Sequence, residues 1–224
     1  IDMNHPEFQG KIAQGYDFIQ GDTNPDTAPN GIDDDGDGTI DGGKDHGTHV
    51  AGIAAAVTDN AQFGAGVCWS CKVMPIRALN DEGIGDLSTI AQAIDFAVDH
   101  DADIINLSLV GNFSTTIGSA IQRAYDAGVL VVAAAGNSNT NLDSSPKSPV
   151  SNDNGSNEVL GVGSITATNT KSSFSNYGNS SVDVSAPGES VLSAAYGSSQ
   201  AMLSGTSMAA PMVAGVAGLF KSKY

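Results

Sequence analysis

Basic side chains are scarce: 9 Lys and Arg stand against 25 Asp and Glu in 224 residues, for a net charge of −16. A surface of that sign repels phosphate backbones and anionic lipid, so neither nucleic acid nor a membrane surface is expected as a partner. Metal cations are its natural counter-ions. Long apolar runs are missing too, and none approaches the roughly 18 residues that a membrane-spanning helix needs. Cysteine is limited to Cys68 and Cys71. Their C-x-x-C spacing would sit at a helix start in a redox enzyme, yet the Lys72-Val73-Met74-Pro75-Ile76 that follows reads as a strand. That sets redox catalysis aside and leaves a short disulfide or two plain thiols. The opening residues, Ile1-Asp2-Met3-Asn4-His5-Pro6, carry no signal-peptide pattern, which a secreted chain would already have lost. With 40% apolar residues and ordinary Gly and Pro usage the chain is neither disordered nor fibrous. Its length fits one domain, 1–224.

Strand-like apolar runs alternate with helical patterns, the signature of an α/β fold with a mostly parallel sheet and helices on both faces. Strands are expected at 73–79, 104–109, 129–134 and 159–162. Between them Ile90, Ala93, Ile94, Ala97 and Val98 make a helical stripe over 88–100, opened by Ser88 as N-cap. Ile117, Ala120, Ile121 and Ala124 share one face of a second helix, 116–127, with Gly128 as its stop. Residues 138–157, rich in Ser, Asn, Asp and Pro, are expected to form a long surface loop.

Two short stretches carry the chemistry: Asp45-His46-Gly47-Thr48-His49-Val50-Ala51-Gly52 and Gly205-Thr206-Ser207-Met208-Ala209-Ala210-Pro211. A serine is a poor nucleophile until a base takes its proton, and imidazole suits that task near neutral pH. Ser207 precedes a helical run, which places its hydroxyl where free N–H groups and the helix dipole favour developing negative charge. Pro211 is expected in the first turn, where a missing N–H costs little. His46 opens a small-residue helix, 47–57, able to pack closely on a sheet. A lone serine or histidine in such a place would be structural. Two full motif contexts point instead to the nucleophile and base of proteolysis.

These motifs resemble those of the subtilisin-like serine proteases (subtilases), and the resemblance runs over nearly the whole chain. It implies a three-layer subtilisin-like fold, His46 as general base, His49 as a structural neighbour and Ser207 as nucleophile. A third family motif, A-A-G-N, matches Ala134-Ala135-Gly136-Asn137, which implies an oxyanion hole made by the Asn137 side chain and the Ser207 N–H. Leu107-Ser108-Leu109-Val110-Gly111 resembles the family's S-L-G-G substrate strand, and Gly83-Ile84-Gly85 the edge on the other side. A bound peptide would become an added strand between them, read mainly through its backbone. Broad specificity is implied, with an apolar preference just before the cut bond. Val110 replaces a family glycine and is expected to narrow the cleft; Met212 replaces a histidine and has no reading. The implied activity is a secreted, monomeric serine endopeptidase acting on protein or peptide substrates, with a propeptide or a missing N-terminal segment as partner.

The family's third catalytic member is an aspartate in a D-[ST]-G motif on a central strand. In register with the segment that begins at Ile1 it would fall just before residue 1. The chain is therefore expected to be a fragment lacking that strand. Asp45 adjoins His46, but its side chain should point away; Asp2 lies beyond the strand end. Without the acid the imidazole loses tautomer control and the partner of its charged form. The competing class is a calcium-stabilised pseudoprotease that grips peptides without cutting them.

Calcium enters from Asp33-Asp34-Asp35-Gly36-Asp37-Gly38-Thr39-Ile40-Asp41, which repeats the start of an EF-hand loop. Asp33, Asp35 and Asp37 would converge on one ion, Thr39 would offer its carbonyl, and Asp41 would bind directly or through water. Lys44 stands where that loop has glutamate, so the bidentate ligand must come from elsewhere, with Asp45 a candidate. A second site rests on the resemblance alone: the stretch from Thr58 to Gly64 is similar to a subtilisin calcium loop, with Asn60 and Glu7 as ligands.

Overall fold

The computed structural model describes residues 1–26, 45–62 and 64–223. In chain order the elements are β1 (Tyr16–Asp17), α1 (His46–Ala55), β2 (Ile76–Arg77), α2 (Leu87–Asp99), β3 (Ile104–Leu107), β4 (Gly111–Asn112), α3 (Thr115–Asp126), β5 (Leu130–Ala134), β6 (Lys147–Ser148), β7 (Val159–Ile165), β8 (Val184–Pro187), β9 (Val191–Ala195), β10 (Ser199–Leu203) and α4 (Thr206–Lys223). A short 3-10 turn, Pro6–Phe8, precedes them.

β3, β5, β7 and β8 lie side by side in that order, every neighbour parallel. A strand covered on both faces reads as a nearly continuous apolar run, and β5 (Leu-Val-Val-Ala-Ala) does so. Its side chains alternate between two cores. Val131 and Ala133 join Ile105 and Leu107 under α2 and α3. Val132 and Ala134, with Ile104 and Val162, pack on Ala209, Ala210 and Ala214 of α4. Helices on both faces are therefore found, as the alternation of patterns predicts. α1 lies against α4 and the β9–β10 ribbon.

Several boundaries differ from the sequence reading. The 73–79 run keeps only β2, because Pro75 has no N–H to give a ladder. β2 pairs with β1, and Val73 makes just an isolated bridge to Ile12. The 104–109 run ends at Leu107, whereas 159–162 extends to Ile165. β8 and the antiparallel β9–β10 ribbon carry no strong apolar pattern; Leu192 and Met202, partners across the ribbon, face solvent. Inside 138–157, β6 pairs with β4, so the stretch is not wholly loop. α2 begins at Leu87 with Asp86 as its N-cap residue, and Ser88 sits inside the first turn. Ser114 caps α3 through Ile117 N. Gly128, at φ +77, ends that helix in the left-handed region that glycine tolerates.

Pro211 falls in the second turn of α4, not the first. The N–H it lacks would have met the carbonyl of Ser207. Cys68 and Cys71 are joined by a disulfide, and its sulfurs pack so closely on α4 that a Cβ at Gly218 would lie 2.6 Å from Cys71 Sγ. Lys11 donates to the carbonyls of Trp69 and Cys71 beside it, and burial lowers the pKa of its ammonium. Among the described residues no helix is long and apolar enough to cross a membrane.

Candidate active site

Ser207 occupies the first turn of α4. Its Oγ donates to the carbonyl of Ser108 at 3.2 Å, and Ser108 Oγ donates back to the carbonyl of Ser207 at 2.9 Å. The second bond answers the gap left by Pro211, since Ser207 O has no helical N–H to receive. Ser108 follows the end of β3, which sets this reciprocal pair at the carboxyl edge of the parallel sheet, where α/β sites form.

Asn137 follows β5 through Gly136. Gly136 has φ +100, and a Cβ there would stand 2.5 Å from Asn176 Nδ2 and 3.4 Å from Val110 Cγ1, so only glycine fits the bend. Asn137 Oδ1 accepts from both the N–H and the hydroxyl of Thr206, each at 2.9 Å. A backbone N–H can only donate, so the amide oxygen must face Thr206 and Nδ2 is left as the donor. The Thr206 hydroxyl, fully buried, also accepts Gly136 N at 2.9 Å. Asn176 holds the turn from the other side: Oδ1 accepts from Ser138 N and Thr140 N, and Nδ2 donates to Ala135 O. Sequence reasoning missed Thr206 and Asn176. Thr206 was visible within its motif, but no spacing rule says that its hydroxyl reaches residues 136 and 137.

His46 is the first residue of α1 and is solvent-exposed at its rim. Partial burial of the ring, first, and the neighbouring His49 imidazole, second, push its pKa below the usual 6.5. α1 packs on α4, which sets the helix opened by His46 beside the one opened by Thr206 and Ser207. Among the described residues no hydrogen bond joins the His46 ring to Ser207 or to a carboxylate. Asp45 points away, accepting from Tyr196 N at 2.7 Å. Asp2 accepts from Asn4 N and Gly197 N. Neither substitutes for the expected aspartate. His49 is buried beneath the ribbon, with Nε2 3.0 Å from both Val191 O and Ala201 O. Burial lowers its pKa while those two carbonyls raise it.

Five of the six residues expected to bind substrate line one cleft. Gly83 and Gly85 on one side and Leu109, Val110 and Gly111 on the other line a volume of about 230 Å³, walled by Leu79, Ile84, Ile90, Ile117 and Pro149. Ser108 is turned to Ser207 instead, and Gly111 is already paired with Ser148 through β4 and β6. Val110 is 45% exposed. Of the metal candidates, Asp33, Asp35, Asp37, Thr39 and Asp41 lie outside the described residues. Glu7 is buried and one carboxylate oxygen accepts from Asn60 Nδ2 at 3.2 Å, while Asn60 Oδ1 accepts from Gln62 N. Among the described residues no three His, Cys, Asp or Glu side chains cluster to hold a metal.

A serine at a helix start, an asparagine amide locked beside it and a cleft flanked by two backbone edges define a serine-hydrolase class of site on a three-layer α/β fold. The chain belongs to the subtilase family, whose model matches residues 1–224. It is 42% identical over its whole length to a thermophilic serine proteinase of Bacillus sp. (strain AK1), covering 50% of that protein. It is 45% identical over 94% of its length to the halolysin-like extracellular serine protease Nep of Natrialba magadii, covering 35% of it. A cold-adapted subtilisin-like serine proteinase of known structure superposes with TM-score 0.82 at 35% identity, covering 100% of this chain and 72% of that one. The chain thus spans about half the length, or less, of these two sequence relatives.

Proposed function

We propose that the chain carries the catalytic machinery of a secreted serine endopeptidase that cuts extended protein substrates. Ser207 Oγ attacks the scissile carbonyl as the His46 imidazole takes its proton. The carbonyl oxygen becomes an oxyanion, held by Asn137 Nδ2 and the Ser207 N–H. On collapse the imidazolium returns the proton to the leaving amine, leaving an ester on Ser207. Water, deprotonated by the same imidazole, then releases the acid. The Ser207 hydroxyl must leave Ser108 O for this sequence to begin. The observation that carries the reading is the pair of hydrogen bonds from Thr206, the neighbour of Ser207, to Asn137 Oδ1, which leaves Nδ2 as the free donor of the amide. A fluorophosphonate probe tests it: Ser207 labels in the folded protein and the label vanishes in Ser207→Ala. A folded protein that never labels rejects the enzyme and leaves the second reading, a peptide-gripping pseudoprotease.

The name of the Natrialba magadii relative supports secretion. For calcium, the donor set is suited to a hard cation: Asp33, Asp35, Asp37 and Asp41 with the Thr39 carbonyl supply only oxygen. Four carboxylates so close in sequence repel one another without a cation. Bound there, just ahead of α1, the ion would hold the approach to His46. Glu7 and Asn60 offer the oxygens of a second site, for which Asn60 would exchange its contact with Gln62 for the ion.

A further inference from the structure

We propose that Asn106 is a positioning residue for the nucleophile, acting through Ser108; the inference rests on the serine-endopeptidase reading. Asn106 lies on β3, opposite Val132 of β5, on the face that Ile104 shares with the apolar α4 layer. A polar amide there is costly unless it is hydrogen-bonded. Its Nδ2 donates to Ser108 Oγ at 2.9 Å. That bond fills one of the two lone pairs of the Ser108 hydroxyl, whose proton goes to Ser207 O at 2.9 Å. Among the described residues Asn106 Oδ1 is buried without a partner, so the hydrogen bond this amide makes is the one to Ser108 Oγ.

The direction of the chain matters. Pro211 removes the helical donor from Ser207 O, and a hydroxyl free to rotate would fill the gap only part of the time. With its oxygen held by Asn106, the Ser108 hydroxyl has one outcome, and the peptide that carries the nucleophile has one orientation. Among the described residues Asn106 makes no hydrogen bond to Ser207 and reaches it through Ser108. It acts on the angle from which Ser207 Oγ swings between Ser108 O and the imidazole.

Five proteins test this: wild type, Asn106→Ala, Asn106→Asp, Ser108→Ala and the double variant N106A/S108A. Loss of one neutral hydrogen bond predicts a fall in kcat of about three- to tenfold for N106A, with KM unchanged. The isosteric carboxylate of N106D cannot donate; it draws the Ser108 proton to itself and lowers kcat at least as far. S108A reproduces the N106A effect, and the double variant is no worse than S108A, a non-additivity that mere loss of stability would not produce. The fluorophosphonate labelling rate of Ser207 follows kcat. A wild type that labels, beside N106A and N106D that label and turn over equally fast, overturns the proposal alone; so does a full N106A effect persisting without Ser108. A wild type inert to the probe overturns the enzyme reading and this proposal with it.

Discussion

Replacing Thr206 with valine removes one oxygen and changes almost nothing in shape. The hydroxyl is fully buried and has two partners, Asn137 Oδ1 and Gly136 N. Valine leaves the Gly136 N–H buried without an acceptor, which costs about 1–3 kcal/mol. For a chain of this size that is a melting temperature lower by about 2–12 °C. Asn137 keeps the backbone N–H of residue 206 but loses its second anchor, so the amide donor can swing. If one net hydrogen bond of orientation is lost, kcat falls about tenfold with KM unchanged, since the donor acts on the oxyanion and not on bound substrate. The upper bound is outright loss of the donor, about 2.7–4 kcal/mol, a figure measured on a subtilisin and so borrowed from a relative. Thr206→Ser is the control: it keeps the hydroxyl, gives up a buried methyl and loses about 1 kcal/mol of stability. Thermal melts followed by circular dichroism, with peptide-hydrolysis kinetics on the same samples, separate the two. Serine should lose stability and keep kcat, whereas valine should lose both. Equal kcat for valine and wild type would refute the claim that Thr206 orients the oxyanion donor.

Gly136→Ala puts a methyl 2.5 Å from Asn176 Nδ2 at a φ of +100; it should cost at least about 1–3 kcal/mol, read as a lower urea midpoint at unchanged slope. The lowered pKa of His46 keeps the base neutral into mildly acidic solution, so the acid limb of kcat/KM against pH should fall below 6.5; a limb above 6.5 would contradict it. Stability runs the same way. His46 and His49 bind protons less readily folded than unfolded, so stability holds above 6.5 and declines as pH drops below that value, until the depressed folded pKa values are passed. Melting temperatures at pH 7.5 and 5 check the sign. Chelation should lower the melting temperature and slow Ser207 labelling, and added calcium should restore both; a midpoint indifferent to chelator would remove the structural ion.

The parts of the fold readable beforehand are those whose physics is local. The stripe of Ile117, Ala120, Ile121 and Ala124 specifies a helix face, and all four are buried. The apolar run of β5 specifies a strand covered on both sides. β9 and β10 were not readable, because Leu192 and Met202 face solvent and the apolar residues the ribbon buries, Ala194 and Ala195, are too small to mark a strand. At the candidate site, residues carried by motifs could be singled out from sequence. The links between them could not. Nothing in the spacing of Thr206, Asn137 and Asn176 tells which hydroxyl meets which amide, because those contacts arise only when β5, α4 and the turn after Ser172 are packed together. Pro211 shows the same limit: its effect depends on Ser108, more than a hundred residues away in sequence and bonded to Ser207 only after folding.

The β9–β10 ribbon is fastened at both ends of the machinery. His49 and Asp45 grip it from the helix that begins with His46, Asp2 ties its tip at Gly197, and its second strand runs directly into Gly205 and Ser207. Few apolar side chains hold it down, which places it among the segments that open first on heating. Warming should therefore silence chemistry before the main sheet melts, with the working limit of the molecule decided by its weakest fastening and not by its core.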